Sequence, residues 1–70
     1  MKLREARVRS TLSRAKLADK ANVSEATIRD SESGKYLPSL NTCGKVAEAL
    51  GLPPQEIDEF RAAMQRSLGN

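Results

Sequence analysis

The chain is predicted to fold as an all-α domain of five short helices, and three features of the sequence carry that prediction. Strand signals are missing: 70 residues hold one Tyr, one Phe and no Trp, and no stretch sustains a period-two alternation of apolar and polar side chains. Apolar residues instead recur at helical spacings, as in Ile57, Phe60, Met64 and Leu68. Residues that start or stop helices punctuate the chain at short intervals.

Helix one is placed at about residues 2–10, with Leu3 and Ala6 on one face. Ser13 is a good N-cap for helix two, about residues 14–21, which turns Leu17, Ala18 and Ala21 inward. Asn22 tolerates the left-handed conformation that ends helices. Ser24 caps helix three, about residues 25–33, and Gly34 ends it. Ser39 caps helix four, about residues 40–50, with Leu40, Cys43, Val46, Ala47 and Leu50 facing inward and Gly51 as its stop. Pro53 and Pro54 open helix five, about residues 54–68, because proline is tolerated in a first helical turn.

A chain this short hides only about 60% of the surface its unfolded form exposes, so the fold needs support. The single cysteine, Cys43, excludes an internal disulfide, and a chain without histidine has almost no zinc ligands. Self-association is the remedy left. A homodimer is expected, with Ile57, Phe60, Met64 and Leu68 as the dimer interface; the alternative is that this stripe is plain core. Cys43 reads as a small core residue. No metal or other cofactor is expected. An enzyme is a distant third reading, for want of a metal-ligand cluster, a Gly-rich phosphate loop and a nucleophile with an evident base. No apolar run reaches the length of a signal or membrane segment, which leads us to expect a cytoplasmic protein with no membrane partner.

Charge is unevenly spread. Residues 1–20 carry Lys2, Arg4, Arg7, Arg9, Arg14, Lys16 and Lys20 against Glu5 and Asp19, a balance of +5, and the other fifty residues sum to −2. A basic end suggests a polyanionic partner such as nucleic acid; a merely solvated face is the alternative.

Residues 13–34 have the spacing of a helix-turn-helix: two helices of about eight residues around the turn Asn22-Val23-Ser24. Ala18 is small enough for a close crossing, and Val23 and Ile28 plug the angle. Such a pair projects its second helix outward, as a recognition helix must be to reach the major groove.

The segments Leu17-Ala18, Asn22-Val23-Ser24, Ala26-Thr27-Ile28 and Glu32-Ser33-Gly34-Lys35 resemble the Xre and phage Cro and repressor-type helix-turn-helix family. Pro38-Ser39-Leu40 and Val46-Ala47-Glu48-Ala49-Leu50-Gly51-Leu52 extend the likeness, which covers about residues 3–58. The resemblance implies a lambda-repressor-like DNA-binding domain spanning the 70 residues. It also implies a prokaryotic or phage regulator, repressor-like, acting on double-stranded DNA as a homodimer at a near-palindromic operator. By matching position, Glu25, Ala26, Thr27, Arg29 and Asp30 would read bases or lie beside those that do, while Arg14, Ser24 and Lys35 would meet phosphates. The chemistry agrees: Arg29 can donate twice to guanine, and Glu25 or Asp30 can accept from cytosine. A plain Glu25–Arg29 surface pair is the competing reading. The resemblance further implies a buried ion pair between Arg7 and Glu32. A stretch around Thr27-Ile28-Arg29 is also similar to the MerR family, but helix-four signals stand where that family has a wing.

Three positions depart from the repressor pattern. Ser31 replaces a large apolar residue, so either Tyr36 or another side chain fills the space or helix three is loosely held. Gly44 sits inside helix four, and Thr11 stands where a glycine is common. Helix three is also acidic: Glu25, Asp30 and Glu32 outnumber Arg29. That face keeps open a second function, a protein-interaction or antitoxin-type module that holds a basic protein partner such as a toxin or another regulator.

Overall fold

A computed structural model describes the backbone of residues 1–68 and the side-chain surroundings of residues 1–66. The fold is all-α. The helices are α1 (Leu3–Arg9), α2 (Arg14–Ala21), α3 (Glu25–Ser33), α4 (Leu40–Leu50) and α5 (Asp58–Leu68), and a 3₁₀ turn, Pro54–Glu56, precedes α5. No strand occurs among the described residues, and no described helix is long and apolar enough to cross a membrane.

Local chemistry sets the middle helices. Ser13, Ser24 and Ser39 each accept a hydrogen bond at the side-chain oxygen from the amide three residues on, which satisfies an amide the helix itself leaves open. Each of these helices ends at a left-handed residue, Asn22, Gly34 and Gly51. The following amides bond back across the last turn: Val23 to the Ala18 carbonyl at 3.0 Å, Lys35 to Asp30 at 3.0 Å and Leu52 to Ala47 at 3.0 Å. Helix α1 closes in the same way, with Leu12 N–H on the Arg7 carbonyl at 3.2 Å, but its left-handed residue is Thr11, at φ 57°.

The outer helices depend on each other. Lys2, before α1, has no side-chain cap to offer. Glu59 of α5 does the work instead, accepting from the Leu3 amide at 2.9 Å. The Asp58 amide donates to the Met1 carbonyl at 2.8 Å. Helix five therefore starts later than predicted: Pro54–Glu56 is a 3₁₀ turn, and Ile57 is extended (φ −101°, ψ 119°), which frees the Asp58 amide for Met1. Helix one is correspondingly a residue shorter at each end than expected.

Leu3, Leu17, Ile28, Val46, Ile57 and Phe60 are buried together in one core, with Cys43, whose thiol pKa burial raises. Two residues of the stripe expected at the dimer interface, Ile57 and Phe60, belong to this core. Ile57 is 0% and Phe60 1% exposed because α5 packs on α4 and the 3₁₀ turn, so neither is free to meet a partner. Met64 is only half-buried, and the side chain of Leu68 lies outside the described residues. Leu40 also departs from expectation: as the first residue of α4 it stands at the rim and is 50% exposed. Ser31 is buried at 2% exposure, while Tyr36 remains exposed, so Tyr36 does not fill the space a larger residue would take.

Candidate nucleic-acid interface

Helices α2 and α3 pack on each other across the turn of residues 22–24. Asn22 adopts the left-handed conformation, Ala18 and Ile28 are buried at the crossing, and Val23 packs partly buried against the same core. The inner side of α3 is fixed by Ile28 and Ser31. Its outer arc carries Glu25, Ala26, Arg29 and Ser33, all exposed, with Asp30 half-buried at the margin. These positions fall at the three- and four-residue spacings of one helix face.

Thr27, grouped with the base readers by the sequence, is turned toward the helix start. It is half-buried, its amide donates to Ser24 Oγ at 3.1 Å, and the two hydroxyls lie 2.8 Å apart. Ser33 is the outward residue that the sequence reading passed over. The helical period alone, four residues beyond Arg29, was the signal for it. Arg29 is not paired with Glu25. Its Nε lies 3.3 Å from Asp30 Oδ1, an exposed contact of the kind that contributes little and yields to a better acceptor.

Behind this arc lies a cluster of three charges. Arg7 Nε and Nη2 donate to the two carboxylate oxygens of Glu32, the second at 3.2 Å, and Arg7 Nη1 donates to the Leu12 carbonyl at 3.0 Å. Arg14 Nε reaches Glu32 Oε1 at 3.3 Å. The side chains of Arg7 and Glu32 are 11% and 3% exposed, whereas that of Arg14 is 44% exposed. The cluster joins α1, α2 and the last turn of α3, where the helix dipole disfavours an anion left alone. It carries one net positive charge, on the outer member, Arg14.

The residues expected to meet phosphate sit at helix ends. Arg14 opens α2, Ser24 caps α3, and Lys35 follows the Gly34 stop. Ser24 spends its oxygen on the Thr27 amide. Lys35 is exposed and has no ion-pair partner among the described residues. The basic N-terminal segment is partly committed: Arg9 pairs with Glu5 at 3.0 Å, and Arg7 and Arg14 with Glu32, which leaves Lys2, Arg4, Lys16 and Lys20 without such partners among the described residues. Among the described residues no group of three or more His, Cys, Asp or Glu is placed to hold a metal ion.

Residues 3–57 match the family described as Helix-turn-helix, which is well over half of the 70-residue chain. No curated protein and no solved structure matches.

Proposed function

The chain belongs to the Xre/Cro-type helix-turn-helix family of DNA-binding regulators, and from that premise we propose that it binds duplex DNA as a homodimer on a near-palindromic operator and represses transcription. Helix α3 enters the major groove with Glu25, Ala26, Arg29 and Asp30 toward base edges. Arg14, Lys35 and the N-terminal ends of α2 and α3 lie on phosphates. The observation that supports this best is the outer arc of α3: four exposed side chains on a helix whose opposite side is locked by Ile28 and Ser31.

The experiment is selection of bound sequences from a random duplex library, followed by fluorescence anisotropy on the selected sites. A homodimer selects a palindrome whose half-sites are centred about 34 Å apart. Arg29→Ala is expected to lose about 1–3 kcal/mol on the selected site and to relax preference at one base. Equal loss on every sequence would refute a base-reading role for Arg29, and no enrichment at all would refute sequence-specific binding.

A further inference from the structure

We propose that the exposed edge of α4 around Leu40 and Gly44 is where a second copy of this chain docks, the two α4 helices crossing antiparallel about a two-fold axis. The inference rests on the homodimer reading and deepens it by naming the surface.

Two independent observations meet there. Leu40 is 50% exposed, and Tyr36 and Leu37, just before it, are 44% and 38% exposed. With Val8 of α1, these are the exposed large apolar side chains among the described residues. Gly44 is the second observation. It lies inside α4, where glycine is the least favourable residue other than proline, and a Cβ built on it would touch nothing within 4 Å. Nothing in the chain itself requires a glycine at this place. Leu40 and Gly44 are four residues apart on one helix and share a face.

A large side chain and a missing one, a turn apart, make a surface complementary to itself. In an antiparallel crossing centred between them, Leu40 of each copy enters the space above Gly44 of the other, so one patch supplies both halves of the contact. Charge agrees with this direction. Glu48 lies in the last turn of α4, where the helix dipole disfavours an anion; it has no ion-pair partner among the described residues, and the first turn of α4 holds no acidic residue. Antiparallel pairing carries each Glu48 toward the positive N-terminal end of the other copy's α4. Ile57 and Phe60, two residues of the stripe first expected to pair, are already buried in the core, whereas Leu40 is exposed.

Sedimentation velocity on the full chain over a dilution series tests the surface. Leu40→Asp puts an acid in a first helical turn, where the dipole suits it, and is expected to raise the dimer dissociation constant by about tenfold or more. Gly44→Ala is expected to act in two opposite directions. It raises the melting temperature of dilute, monomeric protein, yet weakens the dimer by about tenfold because its methyl group occupies the space for Leu40. Val8→Asp, on the other exposed apolar residue, leaves the dissociation constant unchanged. A dimer indifferent to both Leu40→Asp and Gly44→Ala overturns this surface and leaves the homodimer reading standing. A parent chain that stays monomeric at every concentration, alone and on the selected duplex, overturns both.

Discussion

Replacing Arg7 by Ala tests what holds the recognition helix in place. The substitution removes both hydrogen bonds to Glu32 and the one to the Leu12 carbonyl, and leaves behind a carboxylate whose side chain is 3% exposed. Breaking a buried pair by deleting one partner costs about 3–5 kcal/mol, chiefly because the other charge stays desolvated. Arg14 still lies 3.3 Å from Glu32 and offsets part of that cost, so the low end, about 3 kcal/mol, is expected. A chain of this size has roughly 4–10 kcal/mol of total stability, so the loss is a large fraction of it. At about 4–8 °C per kcal/mol, the melting temperature falls by about 12–24 °C, readable by circular dichroism. In a double-mutant cycle, Glu32→Ala added to Arg7→Ala is expected to recover part of the loss, because it removes the carboxylate left without its partner. Arg14→Ala is the contrast: its exposed half of the cluster is expected to contribute less than about 1 kcal/mol to stability while weakening binding to all DNA alike. An Arg7→Ala protein that melts with the parent would refute the view that this cluster anchors α3.

Two further outcomes follow from the ends of the chain. Thr11 occupies the left-handed region at φ 57°, where a β-branched residue is strained. Thr11→Gly relieves about 1–2 kcal/mol of that strain, loses up to about 1 kcal/mol to the freer unfolded chain, and is expected to raise the melting temperature by a few degrees; a clearly lower value would refute strain of that size. Asp58 has its pKa lowered below the ordinary 3.8, chiefly by the hydrogen bond from the Met1 ammonium at 3.2 Å. A carboxylate depressed in the folded state stabilises at pH values above its unfolded pKa, and that contribution is lost as pH falls through the folded value. Asp58→Asn is therefore expected to melt below the parent at neutral pH and to converge with it in strong acid. A gap that stays constant across the titration would refute the linkage.

The parts of the fold legible in the sequence are those whose causes are local. Helices α2, α3 and α4 run between a serine and a left-handed residue a few positions away, and such caps can be read without knowing what lies across the core. Helices α1 and α5 cap each other through Glu59, Asp58 and Met1, more than fifty residues apart in the chain, and no local pattern announces that. The same limit applies to the stripe expected at a dimer interface. A stripe at 57, 60, 64 and 68 looks alike whether it faces its own core or another copy, and only the packing on α4 decides. The outer arc of α3 was placed by family resemblance, and the helical period adds Ser33 to it. The Arg7–Glu32 contact came from family resemblance, and the second arginine on Glu32 depends on side-chain reach that spacing does not disclose.

That second arginine bears on the acidity of the recognition helix. Read as sequence, α3 sums to −2, a poor charge for an element that must approach phosphates. In the folded chain Glu32 faces Arg7 and Arg14 behind the helix, and the cluster returns a charge of +1 at the start of α2. Asp30 is engaged by Arg29, which leaves Glu25 as the exposed carboxylate without an ion-pair partner on α3. A carboxylate at the first helical position discriminates: it accepts from the amino group of cytosine and is repelled where guanine or thymine presents only acceptors. On the proposed reading, the attraction that draws DNA in comes from the flanks, from Arg14, Lys35 and the helix N-termini. With Arg14 and Lys35 as its phosphate contacts, and Lys2, Arg4, Lys16 and Lys20 off the DNA, binding by this chain should depend on salt less steeply than binding by a uniformly basic helix, because each phosphate neutralised adds about 0.9 to the slope of log affinity against log salt. In the proposed homodimer, two discriminating half-sites would multiply their preferences for a matching operator.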